Sequence, residues 1–217
     1  KVVCMNSNVL VLDSQFNQSQ FVVDSGNSTN ITVLNSVFSQ LPGDIQYLGG
    51  LHLTFANTLA HVLIQNCTFE HQVNPKKIQS VVNLYEAALW LKVARNRLPN
   101  TLQGTNAYAR VLNCTFAHNE RGITTVGPFA ELVIEKCFFR NNIAMHAGAG
   151  MLVLINGMNV MRIVNCTFEN NVAGKYRDNY PIKDSEDDFQ VVNSEVHLNA
   201  DCCKGVISLV GKGGGIR

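Results

Sequence analysis

The sequence predicts an all-β solenoid, in which short strands wind into stacked coils that share one interior. Two observations predict this class. A short apolar motif that ends in phenylalanine recurs along the chain, and most copies are followed by asparagine and then by glycine and a second apolar run. A unit of this size cannot bury its own apolar face, whereas stacked units bury a continuous one.

The phenylalanine motif sets the length of one coil. Seven segments align, namely VLDSQF, VLNSVF, IQNCTF, VLNCTF, IEKCFF, IVNCTF and the weaker VVNSEV, and they end at Phe16, Phe38, Phe69, Phe116, Phe139, Phe168 and Val196. The shortest interval is 22 residues, and the longer intervals indicate the same unit with inserted loops. The sequence therefore predicts about seven to eight coils.

Each unit is expected to contain two or three short strands separated by turns. A polar pair or asparagine follows the phenylalanine, as in FAHN, FRNN and FENN, and glycines precede the second apolar run at 48–55 and 147–155. Asparagine and glycine tolerate the left-handed backbone of tight bends. Equivalent residues of stacked coils should then lie above one another at a strand spacing of about 4.8 Å.

The segment around 74–106 has two interpretations. LWLKVARN at 89–96 aligns with LNCTFAHN and places Val93 in the phenylalanine slot, which would make an eighth coil. The longer segment SVVNLYEAALWLKVARNRL is rich in good helix formers, with apolar residues at 81, 84, 88 and 91 that are typical of an amphipathic helix. Both a coil and a helical or irregular insertion stay open from the sequence.

The combined pattern, apolar-x-Asn-Cys-x-Phe-x-x-Asn-x-Ala followed by Gly-Gly-x-apolar, resembles the repeats of right-handed parallel β-helices of the pectin-lyase-like class. More narrowly, it is similar to the Phe-x-x-Asn and Gly-Gly-Ala-Ile repeats of chlamydial polymorphic outer-membrane proteins and of surface proteins of protists and algae. The resemblance covers most of the chain and implies a right-handed parallel β-helix. It selects no function, because that fold hosts lyases, hydrolases, esterases and adhesins.

The cysteines of the repeat are expected to pack in the interior. Side chains alternate along a strand, so phenylalanine and cysteine of N-C-T-F share the inner face. The equivalent slots hold Cys67, Cys114, Cys137 and Cys166. We expect a stack of inert thiols, with disulfides between neighbouring coils as the alternative. Cys4, Cys202 and Cys203 lie outside this column, and the odd total of seven leaves at least one thiol free or paired outside this chain.

Six Asn-x-Ser/Thr sequons make this chain a candidate glycoprotein. They lie at Asn17, Asn27, Asn30, Asn66, Asn113 and Asn165. Asn27 and Asn30, in the turn-like SGNSTNIT, are the stronger expected acceptors if the chain is secreted. The three Asn-Cys-Thr copies are instead expected to be hydrogen-bonded turn asparagines.

No catalytic constellation is recognisable in the sequence. The densest carboxylate group, Asp184, Glu186, Asp187 and Asp188, is interpreted as a solvated loop, with a cation-binding loop as the alternative. The histidines are scattered without a partnered nucleophile, and His71 and His118 are interpreted as turn residues. We therefore expect no catalytic residue, cofactor or metal site; no Cys-x-x-Cys pair supplies convergent ligands.

Composition narrows the partners and the location. The chain has 17 basic and 16 acidic residues, so electrostatics indicates neither nucleic acid nor an anionic membrane surface. Its apolar runs, such as 151–155, are far shorter than the roughly 20 residues of a membrane-spanning helix.

We therefore expect one β-helix domain over residues 1–217, acting as an extracellular or cell-surface structural or adhesive scaffold. The alternative is a carbohydrate-binding or polysaccharide-processing β-helix. The segment GVISLVGKGGGIR carries an apolar strand and then Gly213, Gly214, Gly215 and Ile216, which match the start of the second strand in other units. We accordingly expect the domain to be part of a longer solenoid, or to be capped by another subunit at its C-terminal end, with glycans as a second class of partner.

Overall fold

A computed structural model shows the predicted all-β solenoid. It describes residues 2–4, 8–17, 20–25, 29–39, 50–56, 59–72, 87–94, 107–127, 129–144, 149–156, 160–173, 196–199, 204–209, 211–212 and 215–216. Within these residues every regular element is a β-strand. Successive coils stack, and their strands form three parallel sheets that run along the stack. The prediction of a parallel β-helix is therefore confirmed.

In the described residues, six coils each contribute one strand to each of the three parallel sheets, A, B and C. In sheet A these strands are β1 (Val2–Cys4), β4 (Gln20–Ser25), β7 (Gly50–Ala56), β10 (Leu89–Ala94), β13 (Ile123–Gly127) and β17 (Met151–Asn156). In sheet B they are β2 (Asn8–Leu12), β5 (Thr29–Leu34), β8 (Ala60–Gln65), β11 (Ala107–Leu112), β14 (Glu131–Glu135) and β18 (Val160–Val164). In sheet C they are β3 (Gln15–Asn17), β6 (Val37–Ser39), β9 (Thr68–Glu70), β12 (Thr115–Ala117), β15 (Phe138–Arg140) and β19 (Thr167–Glu169). After sheet C, β16 (Ile143–Ala144) pairs with β20 (Val172–Ala173).

The corner between sheets B and C is only two residues long in each coil. Its first residue has a left-handed backbone, with φ between 45° and 54°. The six residues at this position are Asp13, Asn35, Asn66, Asn113, Lys136 and Asn165. Asparagine and aspartate adopt this conformation more readily than other non-glycine residues, which explains their recurrence before the inward-facing residue of the motif.

The phenylalanines of the motif form one stack through all six coils. Successive rings of Phe16, Phe38, Phe69, Phe116, Phe139 and Phe168 have centroids 4.5 to 4.9 Å apart and interplanar angles of 1° to 7°. The four inner rings are fully buried. Leu51 and Met151, which follow Gly50 and Gly150, lie in register through Leu89 and Ile123 on the inner face of sheet A. The interior is therefore built from columns of equivalent residues.

Residues 89–94 form a strand, but not the one that the eighth-coil alignment places there. This strand, β10, lies in sheet A between β7 and β13, and Val93 is in register with Phe55. Phe69 stacks directly on Phe116, so the 47-residue interval is one coil. The helical alternative does not hold at 89–94 either. The rest of 74–106, apart from 87 and 88, lies outside the described residues.

The last strands reverse the direction of the chain. Strand β21 (Val196–Asn199) pairs antiparallel with β18, and β22 (Lys204–Leu209) pairs antiparallel with β17. Val196 is in register with Ile163 of sheet B and does not extend the phenylalanine column. The expectation of a further parallel coil ending at Val196 is therefore wrong. The expected start of a further strand at 213–216 stays a prediction, because residues 213 and 214 lie outside the described residues. Strands β23 (Gly211–Lys212) and β24 (Gly215–Ile216) form a small antiparallel pair.

Candidate functional site

The interior thiols form a structural column. Cys67, Cys114, Cys137 and Cys166 are free and buried, and each donates a hydrogen bond to the carbonyl two residues earlier, at 3.2 to 3.4 Å. Ser14 and Ser36 occupy the same slot in the first two coils and make the same bond at 2.7 and 2.8 Å. Hydrogen bonding to neighbouring thiols, followed by burial, raises the pKa of Cys67 and Cys137. Hydrogen bonds from the flanking thiols lower the pKa of Cys114 and Cys166. All four cysteine side chains are buried, so the column serves as interior packing.

The asparagines of the Asn-Cys-Thr triplets are exposed turn residues that bond to one another. Asn113 donates from Nδ2 to Oδ1 of Asn66 at 2.8 Å, and Asn66 donates to Asn35 at 3.1 Å. Asn165 is exposed at the equivalent corner. The other sequon residues in the described chain, Asn17 and Asn30, are exposed strand residues, whereas Asn27 lies outside the described residues.

A second column of asparagines is buried, at positions where the sequence predicts turn residues. Asn119, Asn142 and Asn171 follow the motif phenylalanine by three residues and donate from Nδ2 to the carbonyls of Phe69, Phe116 and Phe139, at 2.9 to 3.0 Å. Their side-chain oxygens accept the backbone N–H of the equivalent residue in the preceding coil. The fixed Phe-x-x-Asn spacing was the available signal. The column ties coils together and presents no group to solvent.

The histidines lie on different surfaces. His71 and His118 have left-handed backbones, as turn residues do, and their rings stack with centroids 5.1 Å apart. His52 lies half-buried on the outer side of sheet A, with its ring 5.2 Å from that of Trp90. Burial lowers the pKa of His52 to about 4, so this imidazole is neutral near pH 7.

A candidate surface lies on the outer face of sheet B. A shallow depression of about 540 Å³ crosses four consecutive coils there. We call this surface the sheet B patch. Its outward-facing residues are Asn30, Thr32, His61, Leu63, Tyr108, Arg110 and Glu131. They are spread over about a hundred positions of the sequence, and only the strand register brings them together.

Two aromatic rings stand at the centre of the sheet B patch. His61 and Tyr108 are in register, and their rings stack with centroids 5.0 Å apart and planes within 6°. Because the rings stack along the solenoid axis, their edges point away from the sheet. Those edges carry the imidazole nitrogens and the phenol hydroxyl, so the pair presents hydrogen-bonding groups to solvent more than an open aromatic face.

One of the two charged residues of the sheet B patch lies near an opposite charge, and the other does not. Glu131 lies 4.0 Å from Arg162 of the next coil. Arg110 is exposed, and its neighbours in the same column are Leu63 and Val133. It makes no ion pair within the part of the chain that the structure describes. An extended guanidinium between two aliphatic residues is left with its donors available.

Other classes of site have no counterpart in the described residues. No group of three or more histidine, cysteine, aspartate or glutamate side chains there could hold a metal ion. The acidic run at 184–188, Cys202 and Cys203 lie outside those residues. No helix long and apolar enough to cross a membrane occurs in the described chain. Comparisons with protein-family models, with curated proteins and with solved structures give no match for this chain.

Proposed function

We propose that this chain is a non-catalytic scaffold of an extracellular or cell-surface protein, and that the sheet B patch is the surface with which it contacts a partner. The observation that carries this proposal is the unbroken register of sheet B through all six coils. Register holds outward-facing residues in fixed columns about 4.8 Å apart. A surface with this regularity is suited to contact with an extended partner.

The interior supports a scaffold role. The motif phenylalanines stack on those of the neighbouring coils, Cys137 donates a hydrogen bond to the carbonyl of Val111 in the preceding coil, and the buried asparagines bond between coils. In a solenoid, stability comes from such nearest-neighbour contacts, which allow length and surface area to grow together. The described interior residues thus stabilise the contacts between neighbouring coils.

The repeat features support a kinship with pectin-lyase-like β-helices, and with the surface proteins whose Phe-x-x-Asn repeats this chain resembles. A right-handed winding is part of this proposal, because connections between parallel strands of one sheet are right-handed in about 98% of cases. The sequon at exposed Asn17, which lies in sheet C and away from the sheet B patch, supports passage through the secretory pathway.

A binding assay with matched variants tests the proposal. The purified chain is applied to an array of glycans and extracellular-matrix proteins, beside a variant with His61→Ala, Tyr108→Ala and Arg110→Ala. The control variant carries Thr68→Ala, Thr115→Ala and Arg140→Ala, which face outward from sheet C. We expect the first variant to lose binding and the control to keep it. Equal loss in both variants, or no binding by the parent chain, would contradict the proposal.

The polysaccharide-processing alternative is tested on the same material. We expect no reducing ends and no unsaturated products from uronic-acid polymers, because a scaffold surface holds its partner without turnover. Product formation that is lost after Asp187→Asn and Asp188→Asn would instead establish an enzyme. That result would also refute the interpretation of the acidic run as a solvated loop.

A further inference from the structure

The corner between sheets B and C holds three copies of one sequon in different surroundings. The copies are the Asn-Cys-Thr triplets of IQNCTF, VLNCTF and IVNCTF. Their asparagines, Asn66, Asn113 and Asn165, are exposed and have left-handed backbones, with φ of 54°, 50° and 52°. An Asn-x-Thr triplet is an acceptor for an N-linked glycan. The triplet itself cannot distinguish the three acceptors, whereas their surroundings in the fold can.

Asn66 and Asn113 lie inside a ladder of hydrogen-bonded amides. Asn66 donates from Nδ2 to Oδ1 of Asn35 at 3.1 Å, and its own Oδ1 accepts from Nδ2 of Asn113 at 2.8 Å. Asn35 in turn donates to Asp13 at 3.0 Å. Neighbouring side chains of the ladder are one strand spacing apart, about 4.8 Å. An N-linked glycan is attached at Nδ2, and its first sugar ring is about as wide as this spacing. A glycan on either asparagine would therefore displace the amide beside it.

Asn165 lies outside this ladder. The residue beside it in the preceding coil is Lys136, which has no side-chain oxygen to accept a bond from Nδ2. Nζ of Lys136 lies 3.3 Å from Oε1 of Glu135 instead. In the part of the chain that the structure describes, the carboxamide of Asn165 makes no hydrogen bond. Its Nδ2 is therefore available, and no ladder bond is lost when a sugar is attached there.

The threonine of the sequon is also most accessible in the Asn165 copy. Thr167 is exposed, whereas Thr68 and Thr115 are half-buried. Thr115 has a register partner on each side, in β9 and in β15, because β12 lies inside sheet C. Thr167 has one, in β15, because β19 is the last strand of sheet C in the described residues. Both sequon residues of this copy are thus open to solvent at one end of the corner column.

We propose that Asn165 carries an N-linked glycan in the folded protein, and that Asn66 and Asn113 do not. The donor is an oligosaccharide linked to a lipid diphosphate. Nδ2 of Asn165 forms a bond to the anomeric carbon of the first sugar, the bond from that carbon to the diphosphate oxygen breaks, and Nδ2 releases one proton. This inference rests on the extracellular location in the proposed function, because the transfer occurs in the secretory pathway.

The fold selects among the three acceptors after the transfer. The sugar is attached largely before folding, when the three triplets are equivalent. A chain with a glycan on Asn66 or Asn113 then folds at the cost of ladder bonds, and cells retain or degrade chains that fold poorly. Secreted molecules should therefore be enriched in those that carry the sugar at Asn165.

Peptide mapping of the secreted protein tests the inference. The whole chain is secreted from a eukaryotic host behind an added signal peptide. Peptide N-glycosidase in isotopically labelled water then converts each occupied asparagine to labelled aspartate, which mass spectrometry counts. We expect the occupancy of Asn165 to be several-fold higher than that of Asn66 or Asn113. Similar occupancy at the three positions, or an unoccupied Asn165, would overturn the inference.

Two variants exchange the surroundings of the acceptors. Lys136→Asn places an amide beside Asn165 and extends the ladder to it, so the occupancy of Asn165 should fall several-fold. Asn66→Lys gives Asn113 the neighbour that Asn165 has in the parent chain, so the occupancy of Asn113 should rise. Lys136→Arg keeps a long cation at the corner and is the control, with unchanged occupancy. Unaltered occupancy in both test variants would overturn the role of the ladder.

The outcomes distinguish this inference from the proposed function. The added signal peptide takes every molecule into the secretory pathway, so the occupancies report on the corner column alone. If Asn165 is unoccupied while the array shows binding through the sheet B patch, the inference fails and the proposed function stands. If Asn165 is occupied and the array shows no binding, the acceptor assignment stands and the proposed function fails.

Discussion

At the scale of single residues, one residue type serves opposite purposes because the backbone points it in different directions. Asn66 and Asn113 have left-handed backbones at the corner after sheet B, and their amides bond to each other on the surface. Asn119, six residues after Asn113, is buried and bonds to the carbonyl of Phe69. The exposed column suits a short polar turn residue, whereas the buried column requires the amide to reach a fixed carbonyl.

Gln72 is the member of the buried column whose side-chain amide makes no hydrogen bond. It occupies the slot of Asn119 one coil earlier, yet its Nε2 and Oε1 are buried without a hydrogen bond. An asparagine there could donate to the carbonyl of Phe38, as Asn119 does to that of Phe69. We expect Gln72→Asn to raise the free energy of unfolding by about 1 to 3 kcal/mol, measured with denaturant. The reciprocal Asn119→Gln should lower it; a neutral effect of both would contradict the role of this column.

The thiol column makes a second test at this scale. Cys137 donates to the carbonyls of Glu135 and Val111, and Ser36 holds the equivalent slot in another coil. Cys137→Ser keeps a donor, so we expect it to change the free energy of unfolding by less than about 1 kcal/mol. Cys137→Ala removes the donor and leaves a small cavity, which should cost about 1 to 3 kcal/mol. Urea unfolding measures both free energies. A serine variant that is less stable than the alanine variant would contradict this prediction.

His52 makes stability depend on pH. Its pKa falls to about 4 in the folded chain through burial, against about 6.5 for an exposed imidazole. The unfolded chain therefore binds a proton first as pH falls, so His52 lowers stability between about pH 6.5 and pH 4. As the pH falls over this range, we expect the melting temperature of the parent chain to decrease more steeply than that of His52→Gln. Exposed His61→Gln is the control, and identical slopes in all three proteins would contradict this assignment.

At the scale of elements, the sequence predicts sheets B and C better than sheet A. The two-residue corner gives the phenylalanine motif a constant length, so its six copies align from the sequence and stack in the structure. Strands of sheet A follow insertions of variable length, and apolar alternation alone allows more than one register; for this reason Val93 was aligned with the wrong column. Direction is hidden too, because the apolar pattern of 204–209 is the same for a parallel and an antiparallel strand.

The sheet B patch could not be predicted for a related reason. His61 and Tyr108 are 47 residues apart in the chain, and the inserted segments between coils vary in length. Their alignment becomes visible only when Phe69 and Phe116 are known to belong to consecutive coils. The residues of the patch also lack a local motif, since recognition surfaces of a solenoid are assembled across coils.

Adjacent phenylalanines in β15 test the inner and outer faces of one strand. Phe139 is fully buried, with ring centroids 4.9 Å from Phe116 and 4.5 Å from Phe168. Phe138 is half-buried on the opposite face, beside Arg140. We expect Phe139→Ala to cost about 3 to 5 kcal/mol in denaturant unfolding, and Phe138→Ala to cost under about 1.5 kcal/mol. A similar loss of unfolding free energy in both variants would mean that the phenylalanine column contributes no more to stability than the outer face.

At the scale of the whole molecule, the two ends of the solenoid differ. At the N-terminal end, Phe16 stacks on Phe38 and is only partly buried. At the other end, sheets A and B gain the antiparallel strands β22 and β21, while sheet C ends in the parallel strand β19 within the described residues. Strand β23 lies against β19 at the end of sheet C. The expected contact with further coils or another subunit stays a prediction.

A stack of coils should also unfold unevenly along its length. Each coil contacts only its neighbours, so a lesion in the middle weakens two interfaces and a lesion at an end weakens one. Phe116 contacts Phe69 and Phe139, whereas Phe16 contacts Phe38 in the stack and Phe21 beside it. We expect Phe16→Ala to accelerate amide hydrogen exchange chiefly in residues 8–17, and Phe116→Ala to accelerate it in β9, β12 and β15 together. Because local opening free energies range from near zero to that of global unfolding, native-state exchange with mass spectrometry resolves the two patterns. If both variants lost protection uniformly over all six coils, the chain would behave as one cooperative unit, and a nearest-neighbour description of its stability would be wrong.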